Sequence, residues 1–209
     1  RPERYEELFP AMVSNWRKAW DNGELPFYYA QIAPYNYAAL PENAKGQYNP
    51  ALLREAQRKS LTKIPNSGMA VLMDIGEEKS NHPGHKKQGG ERVAYLALAQ
   101  TYGIKGFGAF SPTYESVSIE KNTVTIKFQN EPNGLTSFGK TLSLFEIAGA
   151  DQKFHPAKAA IKGSSVTVSA EEVKTPVAVR YAFKDFVNGD LFGNDGLPVS
   201  SFRTDNWEK

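Results

Sequence analysis

The 209-residue chain has no cysteine. That excludes disulfides, a thiol nucleophile and a cysteine-based zinc site, but it does not decide a compartment. No apolar run approaches the roughly 20 residues that span a bilayer, and the opening "RPERYEELFP" carries no signal-peptide pattern, so the visible chain reads as soluble. Charge of one sign is also lacking: 25 basic and 23 acidic residues leave +2, scattered without a basic face, so nucleic acid is not an expected partner. There are three histidines, His82, His85 and His155, and no third ligand at a recognisable spacing from the first two. Neither a metal nor another cofactor is implied. A nucleophile motif is missing as well: of fourteen serines, none sits in a Gly-x-Ser-x-Gly elbow or a Gly-Asp-Ser setting after a strand.

Present instead is alternating α and β patterning followed by a change of period. Tyr5, Leu8, Phe9, Met12, Val13, Trp16 and Trp20 recur at helical spacing, and "NGELP" ends that helix. "FYYAQIAPY" reads as a buried strand. "NPALLREAQRKSLTKIP" reads as a second helix, with Asn49 as candidate N-cap and Pro50 at the first helical position. "SGMAVLMDIG" is a second, near-continuously apolar strand of the kind a parallel sheet covers on both faces, and "NHPGHKKQGGERVAYLALAQTYG" is a third helix with Pro83 in its first turn and Gly103 past its end. Two parallel strands make a shallow sheet with open edges.

Beyond Gly103 the pattern has a period of two. "SVSIEKNTVTIKF" predicts a hairpin around Lys121 and Asn122, and "LSLFEIAG", "AAIKGSSVTVSA" and "PVAVRYAF" add short strands, together a small antiparallel β-sandwich-like domain. The expected division is residues 1–105, an α/β portion, and 106–209, a β-rich domain.

His82 follows the carboxyl end of the second strand, the edge where open α/β sheets hold their chemistry. One reading makes it a general base that takes a proton from a serine and returns it to a leaving alcohol. The other makes it a helix-capping residue packed on Pro83. Asp74, Glu77 and Glu78 are the nearby acids that could orient it, with Asp74 preferred because a strand end fixes it by packing. Asp74 could equally bond local backbone N–H groups. Gln31 ends the aromatic strand, while Arg54 and Gln57 lie three apart on one helical face, suited to substrate contact or to fastening the helix to the sheet. Tyr28, Tyr29, Tyr35 and Tyr37 read as a sugar-stacking wall or as core. Arg203 and Asp205 suit an ion pair closing the tail.

The ordered blocks "YEELFPAMVSNWRKAW", "LPFYYAQIAPY", "LLREAQRKSL", "MAVLMDIG", "NHPGHKKQGGERVAYLAL", "PVAVRYAF" and "GLPVSSFRTDNW" together resemble the carboxyl-terminal half of a bacterial sialate O-acetylesterase of the SGNH hydrolase type. The resemblance implies a flavodoxin-like sheet, of which this chain carries the last two strands and their helices, followed by a β-rich domain. It implies a serine nucleophile with glycine and asparagine oxyanion groups upstream of residue 1, and His82 as base. It further implies acetyl-ester hydrolysis, first of 9-O-acetyl sialic acid or else of another acetylated glycan such as xylan, in the periplasm or outside the cell. The missing amino-terminal segment would be a partner. Many such hydrolases place an aspartate three residues before the histidine, where this chain has Lys79. The acid is then either Asp74 or replaced by a backbone carbonyl. A reading from another class keeps the chain as a noncatalytic carbohydrate-binding or interaction module.

Overall fold

The computed structural model describes residues 2–40 and 50–207. The chain divides into two compact units, residues 1–110 with Lys184–Val187, and residues 111–183 with 188–209.

The first unit opens with a 3-10 turn, Pro2–Arg4, leading into α1, Tyr5–Trp20. Its apolar positions recur every four residues, so Tyr5, Phe9 and Val13 share a face; Phe9 and Val13 are buried, and Phe9 meets Tyr29 edge-on at 4.9 Å. Glu6 and Glu7 lie in the first turn and Arg17 and Lys18 in the last, complementing the helix dipole. Pro10 sits inside the helix and has no N–H to give the Glu6 carbonyl. The Lys63 ammonium approaches that carbonyl instead, at 3.4 Å, and also pairs with the Glu6 carboxylate at 3.2 Å.

Strand β1, Phe27–Ala30, pairs in parallel with β2, Ser67–Ala70, in the register Phe27 to Ser67 and Ala30 to Ala70. Between them in sequence lies α2, Pro50–Ser60. The N-cap expected at Asn49 lies outside the described residues. Helix α3, Lys86–Leu96, continues as one π-helical turn, Ala97–Thr101, and the chain then reverses through Gly103 at φ +67°. Gly68 lets α3 come close to β2, because a Cβ there would stand 3.1 Å from a Leu96 methyl and 3.1 Å from the Tyr28 ring.

Two expected boundaries move. The strand over 67–76 ends at Ala70, and Ile75 bonds back to Leu72 in a turn. Arg92 of α3 takes the Val71 carbonyl at 2.8 Å, a group a longer strand would have offered to the sheet. The third helix starts at Lys86, leaving Pro83 buried in the preceding turn.

The second unit is antiparallel throughout. Its strands are β3 Thr113–Glu120, β4 Thr123–Gln129, β5 Leu135–Thr136, β6 Phe145–Ala148, β7 Phe154–Pro156, β8 Lys158–Lys162, β9 Ser165–Ser169, β10 Ala178–Tyr181, β11 Phe192–Gly193 and β12 Phe202–Arg203. They form sheets in the order β3-β4-β9-β8 and β12-β10-β6-β7, with β5 and β11 as a separate pair. The expected β3–β4 hairpin turns at Lys121, which accepts φ +55°. Alternation puts Val124, Ile126, Phe128, Val166 and Val168 inside on one sheet, and Phe145, Ile147, Val179 and Tyr181 on the other. Fully buried Phe202 stacks on Tyr114 at 4.9 Å and meets Phe128 at 5.9 Å and Tyr181 at 6.0 Å, so its ring joins both sheets.

Candidate functional site

Both parallel strands point their carboxyl ends toward the same edge, where the chain forms two loops, residues 31–40 after β1 and 71–85 after β2. His82 sits on an exposed bend of the second loop. Its backbone is clamped on both sides. The Ser80 hydroxyl accepts the His82 N–H at 3.2 Å and lies 3.2 Å from the His82 carbonyl, while Glu77 Oε1 accepts the Gly84 N–H at 2.6 Å. Pro83 is buried beneath. The local fold thus fixes the main chain and leaves the imidazole turned outward, which suits a proton carrier as well as a surface histidine.

Asp74 is engaged elsewhere. Its two carboxylate oxygens meet the two terminal nitrogens of Arg92 at 2.6 and 2.7 Å, a bidentate pair that staples the turn after β2 to α3. Among the described residues no hydrogen bond or ion pair joins Asp74 to His82. Sequence reasoning did not find Arg92; the signal available was one arginine beside Val93 in an otherwise apolar stripe.

Gln31, Arg54 and Gln57 are brought together, and all three are buried. Gln31 donates to the Arg54 carbonyl at 3.0 Å, Gln57 Oε1 accepts the Ile32 N–H at 2.9 Å, and the Gln57 carbonyl accepts the Tyr29 hydroxyl at 2.8 Å. These contacts fasten α2 to the end of β1. The Arg54 guanidinium reaches away from them to the backbone carbonyls of Lys184 and Asp185. Burial pushes it down to about 10, against the opposing pull of the Asp185 carboxylate.

The four tyrosines separate. Tyr29 is core, with burial pushing its hydroxyl far up, and Tyr28 bonds Thr101 at 2.6 Å. Tyr35 and Tyr37 are half-buried and meet edge-to-face, their centroids 4.8 Å apart. The expected Arg203–Asp205 ion pair forms, and Arg180 joins it. Asp205 is held bidentately by Arg180 at 2.8 and 2.7 Å, with Arg203 at 3.6 Å.

No family model and no curated protein matches the sequence. Among solved structures the similarity is to a carbohydrate esterase. That structure, a carbohydrate acetylesterase from Xanthomonas citri, superposes with a TM-score of 0.88 at 37% identity, covering 98% of this chain and 46% of its own. The chain therefore spans less than half the length of the protein it matches.

Proposed function

We propose that this chain is part of a carbohydrate O-acetylesterase of the SGNH type, with His82 as the catalytic base. The observation that carries the proposal is 37% identity along 98% of the chain to a carbohydrate acetylesterase. The outward-facing imidazole on a clamped bend at the strand edge agrees with it. In this reading a serine upstream of residue 1 attacks the acetyl carbonyl while His82 takes its proton. His82 then protonates the departing sugar alcohol, and water releases acetate from the acyl-enzyme. The two-stranded parallel sheet is the end of a flavodoxin-like sheet. The substrate we put first is 9-O-acetyl sialic acid, with acetylated xylan next, in a periplasmic or secreted enzyme.

For the group that orients His82, the two candidates were Asp74 and a backbone carbonyl. Because Arg92 holds both Asp74 oxygens, we assign Asp74 the task of stapling the loop to α3 and a carbonyl the task of orienting the ring. Gln31, Arg54 and Gln57 act on substrate indirectly, by fixing the loop after β1.

The test is acetyl release from 9-O-acetylated sialic acid and from acetylxylan by three proteins: this chain, a version extended upstream through the serine segment, and the extended version with His82→Ala. We expect activity in the extended protein alone, reduced about 10²- to 10⁴-fold by His82→Ala. Robust release by the 209-residue chain, or an extended protein inactive on both esters, would overturn the proposal. A noncatalytic glycan-binding role is the second reading. It is favoured by the lack of a serine nucleophile motif in this chain, and it predicts saturable sugar binding by residues 107–209 that His82→Ala leaves unchanged.

A further inference from the structure

The loop after β1 carries more than a connection. Asn36 donates its N–H to the Glu78 carbonyl at 3.4 Å, and Pro34 lies so close to Gly76 that a Cβ on that glycine would stand 2.3 Å from the Pro34 oxygen. The loop bearing Tyr35 and Tyr37 is thereby seated on the loop bearing His82. Three local backbone bonds tighten it: Tyr37 N–H to Tyr35, Ala39 to Asn36 and Leu40 to Tyr37, at 3.0 to 3.2 Å.

A distant segment also holds it. Lys184–Val187 belongs to the first unit, and the Asp185 carboxylate accepts the Ala38 N–H at 3.1 Å across 147 residues of sequence. Fully buried Arg54 fixes that segment in turn, through the carbonyls of residues 184 and 185. A pair of half-buried rings on a loop whose backbone is tied down at Asn36 and Ala38 is unlike the core tyrosine Tyr29. Rigid aromatic faces beside a few polar groups are how proteins bind the apolar C–H face of a sugar ring at low entropic cost.

We propose that Tyr35 and Tyr37 form the surface on which the sugar ring of the acetylated substrate stacks, with Asp185 as the positioning residue that holds them beside His82. This rests on the esterase reading and adds a substrate-recognising element to the same site.

The experiment compares kcat and KM of the extended enzyme on 9-O-acetyl sialic acid, on an acetylated xylo-oligosaccharide, and on ethyl acetate, which has no ring to stack. Tyr35→Ala and Tyr37→Ala should each raise KM about tenfold on one or both sugar esters, and change ethyl acetate less than about twofold. Tyr35→Phe and Tyr37→Phe should retain the parent KM. Asp185→Ala should reproduce the sugar-specific loss, and Asp185→Asn, which keeps an acceptor for Ala38, should restore it. Equal losses on sugar and ethyl esters, or no loss on any, would overturn the proposal. If the extended enzyme hydrolyses none of the esters, the esterase reading fails separately. Calorimetric titration of this chain with the same two sugars then decides the present point, since saturable binding abolished by Tyr35→Ala and Tyr37→Ala upholds it and binding unaffected by them rejects it.

Discussion

In the first unit, fully buried Arg54 donates to backbone carbonyls, those of Lys184 and Asp185. In the second, Arg180 meets a carboxylate, Asp205, through two bonds of 2.8 and 2.7 Å, and the Asp205 side chain has no exposed surface. Both arginines carry a charge out of water, an arrangement that is costly unless hydrogen bonds compensate it. The difference lies in what the partner can do. Carbonyls accept a guanidinium at whatever backbone they belong to, so Arg54 fixes the path of a returning segment. A carboxylate neutralises charge, so Arg180 closes a tail onto a finished apolar core, where its guanidinium also lies 4.0 Å over the Phe154 ring. Buried polarity in the first unit sets the shape of loops; in the second it locks a sandwich.

The largest test of that contrast is Asp205→Ala. It leaves Arg180 buried without its carboxylate and should cost about 3–5 kcal/mol in urea unfolding. Arg54→Met fills similar volume but abandons two carbonyls, for an expected loss of about 1–3 kcal/mol. Two of the three tryptophans, Trp16 and Trp20, lie in α1 of the first unit, so a Trp207→Phe background makes fluorescence a reporter of that unit for Arg54→Met, while hydrogen exchange in β10 and β12 reads the loss for Asp205→Ala. Equal losses for the two variants would erase the distinction drawn between the arginines.

The aspartates beside these arginines differ in the same sense and supply a pH test. Burial raises the Asp185 carboxyl, and the Ala38 N–H and Arg54 only partly offset it. For Asp205 burial also acts upward, but the bonds and charge of Arg180, helped by Arg203, leave it below the ordinary carboxylate range. A depressed carboxyl contributes stability that is present above its unfolded value, about 3.9, and lost as pH falls through the folded value. A raised one runs the other way, its contribution full below about 3.9 and lost as pH rises through the folded value. On acidification below about 3.9, hydrogen exchange corrected for its intrinsic pH dependence should therefore accelerate in β10 and β12, whereas residues 36–40 and 184–187 keep or gain protection as Asp185 takes up its proton. Acid loss of protection at residues 36–40 and 184–187, with β10 and β12 unaffected, would contradict this assignment of the two environments.

How much of this was readable beforehand follows the same division. The periods of α1 and of the β3–β4 hairpin come from side chains facing one core, and the chain displays them directly. Arg54 and Gln57, three apart, offered substrate contact or a fastening of helix to sheet; the Gln57 side chain bonds the backbone at the end of β1, while the Arg54 side chain goes to the carbonyls of residues 184 and 185, which spacing alone does not reveal. The length of β2 was not legible, since "VLMDIG" stays largely buried after leaving the sheet and burial alone does not distinguish a strand from a packed turn. Nor was the partner of Asp74, because Arg92 lies 18 residues on and meets it only after α3 folds back. Asp185 was least visible of all, being one acid in a four-residue segment that returns to the first unit from within the second.

The smallest expected effect separates backbone made for a loop from backbone that merely tolerates glycine. Gly76 cannot accept a side chain, with a Cβ there colliding with Pro34, whereas a Cβ on Gly90 inside α3 meets nothing within 4 Å. Glycine in a helix interior costs about 0.5–1 kcal/mol relative to alanine through the freedom it retains when unfolded. Gly90→Ala should therefore raise the stability of the first unit by about that amount, with hydrogen exchange slowed along α3 and the second unit unchanged. A destabilised Gly90→Ala would mean that α3 presents that face to something the open space beside it does not reveal.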